Sequence, residues 1–256
     1  MITHYNLTGG QNGYQIRYKV CMSEEYQKSG KAPSEILLCI HGFNGSMESL
    51  VIGAVAEEMT THGYIIVSFN LPAHGDSPAR FSDLTINHCL SDIETILSLI
   101  KRSWPDTPIS VFATSMGGYL TVLYLEKHQE FRKVILRSPA LYMAKVLREN
   151  LMAQEDFASF HSGKPFDFGF NQPLVLEDSF YEDLLAHPIP EDCPQKDKIM
   201  IIHGTADISV PTHYSEEYAA SNHLLLHEVV GATHWYDHPG EREEIVRLTK
   251  DWLMMN

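Results

Sequence analysis

The sequence lacks any apolar run near the roughly 20 residues that span a bilayer, so no membrane-crossing helix is expected. Its opening, "MITHYNLTGGQNGYQ", has neither a basic start nor an apolar stretch. That predicts no secretory signal peptide and makes a cytoplasmic location the default. Positive charge is scarce: 19 Lys and Arg stand against 33 Asp and Glu, a formal net charge of −14. A field of that sign repels polyanions, which argues against nucleic acid or an anionic membrane surface as a partner. Cysteine is also sparse. Cys21, Cys39, Cys89 and Cys193 lie far apart without a CxxC pair, a spacing that suits neither a zinc site nor a disulfide framework. Histidine is plentiful at 14, yet no HExxH motif or Cys/His cluster appears. Only His223/His227 and His234/His238 have i, i+4 spacing, and neither pair falls on a helical pattern. No metal and no organic cofactor is expected.

What is present is an ordinary globular composition, 44% hydrophobic and 20% charged over 256 residues. It suits one large α/β domain spanning 1–256. Apolar runs at 35–42, 64–70, 109–115, 133–139, 198–204 and 224–230 read as strands. Most are continuous rather than alternating, as for strands covered on both faces. "QIRYKV" (15–20) alternates more and predicts an antiparallel hairpin near the sheet edge. Helical patterns fall at 47–62, 85–103, 116–128, 212–221 and 240–254, with Thr85 placed to cap the second and Pro239 near the start of the last. This alternation predicts a mainly parallel sheet with helices on both faces and active residues at the strand C-termini. The rhythm breaks between about Ala140 and Lys196, where no strand is visible. So long a connection predicts an inserted cap of short helices and loops. Its aromatics Phe157, Phe160, Phe166, Phe168, Phe170, Phe180 and Tyr181 either line a pocket or pack the insertion onto the core.

One serine sits where strand 109–115 must turn into helix 116–128: Ser115, in "VFATSMGGYL". A tight strand-to-helix turn projects a hydroxyl clear of the sheet but demands small neighbours, here Ala113, Gly117 and Gly118. The Met116 amide then opens the helix, where its N–H and the helix dipole face any charge developing on a carbonyl oxygen. The plainer reading of Ser115 is a helix N-cap.

A-T-S-M-G resembles the nucleophile elbow of the α/β-hydrolase family, written G-x-S-x-G, with alanine at the first glycine. Three further segments extend the resemblance. "HGFNG" (41–45) follows an early strand, and the resemblance implies that Phe43 supplies a second oxyanion-hole amide beside Met116. "HGTADISVP" (203–211) presents Asp207, and "GATHWYDHP" (231–239) presents His234. Taken singly these are also a glycine turn, an Asx turn and a surface histidine. Together they give the order Ser115, Asp207, His234 that the family implies. His234 is preferred to His238 because it carries the family's G-x-x-H pattern, and "RSPALY" offers no rival acid. "NLPAHGDS" (70–77) looks like the family's loop after the second core strand. His41 and His203, beside glycines at strand ends, are expected to bond loop backbone. The resemblance covers about 35–139 and 198–254. It looks most like the esterase, monoacylglycerol-lipase and serine-aminopeptidase branch, and is similar to cinnamoyl and feruloyl esterases.

The resemblance implies an α/β-hydrolase fold and a serine hydrolase that cleaves a carboxylic ester through an acyl-enzyme, with a small-molecule ester as partner. The aromatic insertion suggests an apolar or aromatic acyl group. An amidase, aminopeptidase or thioesterase could run on the same three residues, and a non-catalytic binding protein could keep the pocket alone.

Overall fold

The structure is a computed structural model that describes residues 1–162, 164, 166–167 and 174–255. The chain opens with an antiparallel hairpin of β1 (Ile2–Gly9) and β2 (Gln15–Met22), followed by the short helix α1 (Glu24–Ser29). Then strands and helices alternate: β3 (Glu35–Ile40), α2 (Leu50–Thr61), β4 (Tyr64–Phe69), α3 (Ile86–Ser103), β5 (Ile109–Thr114), α4 (Met116–Leu125) and β6 (Phe131–Arg137). A segment of short elements follows: α5 (Met143–Val146), a π-helical turn (Leu147–Leu151), α6 (Gln154–His161), the two-residue strands β7 (Phe166–Asp167) and β8 (Val175–Leu176), and α7 (Asp178–Ala186). The chain closes with β9 (Ile199–Gly204), α8 (His213–Asn222), β10 (Leu225–Val229) and α9 (Glu241–Met254).

Eight strands form one sheet in the order β1-β2-β4-β3-β5-β6-β9-β10. The pairs β1–β2 and β2–β4 are antiparallel and all others parallel. The expected hairpin therefore sits at the sheet edge. The continuous apolar runs become strands buried along their whole length, as in β3, β4, β5 and β9. Their side chains alternate between two cores. Ile36, Leu38 and Ile40 pack with α3, α4 and α8, while Leu37 and Cys39 pack with α2 and α9. Every residue of α4 is buried, so this helix needs no polar face. Thr85 caps α3 as expected, its side chain accepting from the His88 amide.

Helix α9 begins within one residue of expectation, just after Pro239, with Gly240 in the left-handed region at φ 87° as its N-cap. One expectation changes. The segment between β6 and β9 holds the small β7–β8 hairpin where no strand was expected. Of its seven aromatics, Phe168 and Phe170 lie outside the described residues. Phe160, Phe180 and Tyr181 are buried in the core, and Phe157 and Phe166 pack against it. The segment is tied down by polar contacts too: Tyr119 Oη donates to the His187 carbonyl at 2.6 Å, and the Ile86 amide donates to Asp183 at 2.6 Å.

Candidate active site

Parallel pairing from β3 through β10 brings the C-terminal ends of those strands to one edge of the sheet. Ser115 follows β5 there. Its backbone stands at φ 53°, ψ −118°, an uncommon conformation for a residue with a Cβ. Four backbone bonds hold it. Its amide donates to the Arg137 carbonyl at 3.0 Å, and its own carbonyl accepts from Gly118, Tyr119 and Ala140. It occupies the N-cap position of α4, but its side chain makes no capping bond, so capping does not account for the hydroxyl. The small neighbours are required. A Cβ on Gly117 would meet the Ile40 and His41 carbonyl oxygens at 2.6 Å, and one on Gly118 would meet the Pro139 side chain at 2.8 Å.

The loop after β3 packs directly on this serine, since a Cβ on Gly42 would stand 2.7 Å from the Ser115 Cβ. His41 clamps that loop. Its Nδ1 donates to the Gly42 carbonyl at 2.8 Å and its Nε2 accepts from the Leu71 amide at 3.0 Å. Burial first, then the nearby His74, pushes His41 down to about 3, so it stays neutral as this bonding requires. Asn70 adds a second fastening: its Oδ1 accepts from the Met47 amide and its Nδ2 donates to Asp76. Phe43 lies between the rings of His74 and Phe180. At the elbow itself the Met116 amide opens α4 and donates to no backbone acceptor among the described residues.

Asp207 follows β9 and uses both carboxylate oxygens. Oδ1 accepts from the Ser209 and Val210 amides at 3.0 and 2.8 Å, which is an Asx turn. Oδ2 lies 2.7 Å from His234 Nδ1 and 3.3 Å from His203 Nε2. The turn reading and the acid reading therefore both hold. His203 bonds loop backbone as expected, at the Val210 carbonyl, and also faces the acid. Burial alone would raise the Asp207 carboxyl. Hydrogen bonds from His203 and His234 outweigh it and hold the group well below the usual carboxylate range. An ionised carboxylate on Nδ1 fixes the His234 tautomer with its proton on Nδ1, leaving Nε2 with a lone pair. His238 is exposed, and Asp237 accepts from Thr233 instead of from the imidazole.

His234 reaches this position because β9 and the loop after β10 touch. A Cβ on Gly204 would run into the Ala232 carbonyl, and the Ala206 amide donates to that same oxygen at 3.0 Å. Gly204→Ala should therefore push the 231–234 loop away from Asp207. The expected result is a loss of about 1–3 kcal/mol of stability together with a fall in turnover. Thermal unfolding and steady-state rates on one preparation check it, and an unchanged variant would contradict the close approach.

Ser115 and His234 line one cavity of about 550 Å³, together with His41 to Ser46, Ala73 to Gly75, Arg137, Leu174 and Trp235. The hydroxyl and the imidazole make no hydrogen bond to each other among the described residues; such bonds often tighten only with substrate bound. None of the insertion's described aromatics lines this cavity, and Leu174 is the described residue that reaches it from there. Of the two readings, packing describes these residues at this cavity, while Tyr181 also lines a second, smaller cavity beside α5 and α7. Among the described residues, His161, Asp178 and Glu182 form the one cluster with metal-like donors. It lies on α6 and α7 and none of its members lines the cavity. Sequence reasoning missed Arg137, whose side chain lies beside His234. The visible signal was a cation closing the apolar run Val134–Leu136 at the end of β6.

Residues 31–162, just over half of the chain, match the family model described as serine aminopeptidase, S33. That span includes the 41–45 loop and the elbow and ends before Asp207 and His234. Among solved structures, Est1E from Butyrivibrio proteoclasticus with ferulic acid bound is 23% identical, with a TM-score of 0.80 over 97% of this chain and 98% of that one. The α/β-hydrolase domain-containing protein 10 from mouse is 16% identical, with a TM-score of 0.74 over 98% of both chains. A comparison with curated protein sequences returns no match. Among the described residues, no helix is long and apolar enough to cross a membrane.

Proposed function

This chain belongs to the serine aminopeptidase S33 family and has the α/β-hydrolase fold, and on that premise we propose that it cleaves carboxylic esters through an acyl-enzyme on Ser115. The observation that carries the reading is the Asp207–His234 contact of 2.7 Å on the edge where Ser115 is held at positive φ, with Ser115 and His234 both lining one cavity. In the first half-reaction the Ser115 Oγ attacks the ester carbonyl and its proton passes to His234 Nε2. Asp207 stabilises the imidazolium so formed. The oxyanion is received by the amides of Met116 and Phe43, each such donor being worth roughly 3–4 kcal/mol in comparable sites. Collapse expels the alcohol, which takes the proton from Nε2. In the second half-reaction His234 accepts a proton from water, hydroxide adds to the acyl carbon, and Ser115 leaves reprotonated. The segment from about 140 to 196 acts as a cap in this reading, with Leu174 as its contribution to the cavity wall.

Burial pulls the His234 imidazole below its ordinary value, the Asp207 bond pulls it up, and the Arg137 cation pulls it down again; the net shift is downward. The base must be neutral to take the serine proton. The acid limb of kcat/KM is therefore expected below the ordinary histidine value of about 6.5. A pH–rate profile checks this, and a midpoint at or above that value would contradict it.

The substrate class is tested by a hydrolysis panel of short and long p-nitrophenyl esters, methyl ferulate, a monoacylglycerol and an aminoacyl anilide. The family match gives the anilide a place as a second reading, since its description names an aminopeptidase. Turnover of esters well above the anilide supports the proposal. An anilide cleaved far faster than every ester overturns it.

A further inference from the structure

Arg137 is 6% exposed, ends β6 and lines the cavity that holds Ser115 and His234. One Nη2 hydrogen goes to the His234 carbonyl, and the guanidinium lies 4.5 Å over the Tyr236 ring. Its Nε is buried without a partner, and Nη1 makes no hydrogen bond among the described residues. No carboxylate lies within ion-pair distance of it among the described residues. A second arginine, Arg242, lines the same cavity. Its Nε donates to the Tyr236 carbonyl at 3.4 Å, and it too has no ion pair among the described residues. Of the acids on the cavity wall, Glu48 pairs with Lys19 at 2.8 Å, and Asp237 accepts from Thr233 at 3.0 Å while its charge meets that of Arg242 only from beyond ion-pair distance.

A guanidinium keeps its charge in proteins, and a buried charge without a counter-ion is costly. Bracing the His234 carbonyl needs a single neutral donor; the Asp207 charge answers part of the cation from beyond ion-pair distance, and Nε and Nη1 are left without an acceptor among the described residues. The Tyr236 face offsets part of the cost but accepts no hydrogen bond in the guanidinium plane. What matches a planar fork of donors is a carboxylate. Net charge in this chain is −14, so two unpaired arginines on one cavity are not a general surplus of cations.

We propose that the substrate is anionic: an ester carrying a carboxylate, on its acyl or its alcohol part, that Arg137 and Arg242 receive while Ser115 meets the ester carbonyl. This rests on the ester-hydrolase reading above and narrows it. Arg137 is then both a specificity residue and a brace for the His234 loop.

The test compares matched esters. One pair is p-nitrophenyl hemiglutarate against the neutral p-nitrophenyl valerate. The other is 4-butyryloxybenzoate against 4-butyryloxybenzamide, which moves the anion to the alcohol side. Each is run on the wild type, Arg137→Met and Arg242→Gln, with fluorophosphonate labelling as a control for a working serine. The wild type should favour the anion in one pair, and Arg137→Met should cut that anionic-to-neutral ratio of kcat/KM by about 10- to 100-fold. The ratio cancels any loss common to both esters from a loosened His234 loop. Should Arg137→Met not fold, a reduced ratio in Arg242→Gln supports the proposal and an unmoved one overturns it. A labelled enzyme that prefers the neutral ester in both pairs, or whose ratio ignores Arg137→Met, overturns this inference and leaves the hydrolase reading standing. An enzyme neither labelled nor active on any ester removes both.

Discussion

Ser115→Ala is expected to lower kcat for a p-nitrophenyl ester by about 10⁶-fold with the fold intact. The two halves of that statement have separate causes. Chemically, on the proposed mechanism, the substitution removes the atom that carries the acyl group and leaves only the residual help that oxyanion donors and binding give to water. Structurally, it removes almost nothing. The hydroxyl makes no capping bond, the backbone bonds of the elbow come from the amide and carbonyl, and the Cβ packed against Gly42 is retained. Alanine at φ 53° is strained much as serine is. The change in stability should stay within about 0.5 kcal/mol. Rates and thermal unfolding on the same sample check both halves. A variant keeping more than about a hundredth of wild-type kcat would mean that the hydroxyl is not the nucleophile.

Asp207→Asn should cost about 10⁴-fold in kcat. The amide can keep the Asx turn by presenting its oxygen to the Ser209 and Val210 amides, where Oδ1 accepts now. Its NH₂ group then replaces Oδ2 opposite His234 Nδ1, 2.7 Å away in the wild type. Two donors cannot share that contact, so the imidazole moves its proton to Nε2 and loses the lone pair that would take the serine proton. His203 Nε2 faces the same oxygen and suffers the same mismatch. Because the turn survives, the loss should fall on kcat with fluorophosphonate labelling slowed in parallel and KM little changed. A variant retaining a tenth or more of wild-type kcat would argue that Asp207 serves the turn alone.

Much of this arrangement was legible in the linear sequence, for identifiable reasons. Strands covered on both faces need continuous apolar residues, so β3, β4, β5 and β9 announced themselves. The elbow was legible because steric crowding restricts its neighbours: Gly117 and Gly118 touch backbone and proline that a side chain would strike. Asp207 was ambiguous between turn and acid because a carboxylate has two oxygens and this one uses each for a different task. Gly204 gave no sign of its role, since its contact with Ala232 depends on how β9 meets a distant loop. Arg137 read simply as the polar end of a strand. Its burial and its stack on Tyr236 arise from a loop nearly a hundred residues away, which no local pattern encodes. The aromatic-rich insertion stayed open between two readings for a related reason: Phe160 and Phe180 serve the core, and composition does not tell a pocket wall from a packing face.

The central claim is that Ser115 is an activated nucleophile, and covalent labelling tests it most directly. The native protein is treated with a fluorophosphonate probe near neutral pH, digested and mapped by mass spectrometry. One adduct, on the peptide containing Ser115, is the predicted result, absent after heat denaturation and in Ser115→Ala. A folded protein that stays unlabelled, or that carries its adduct on another residue, would contradict the account.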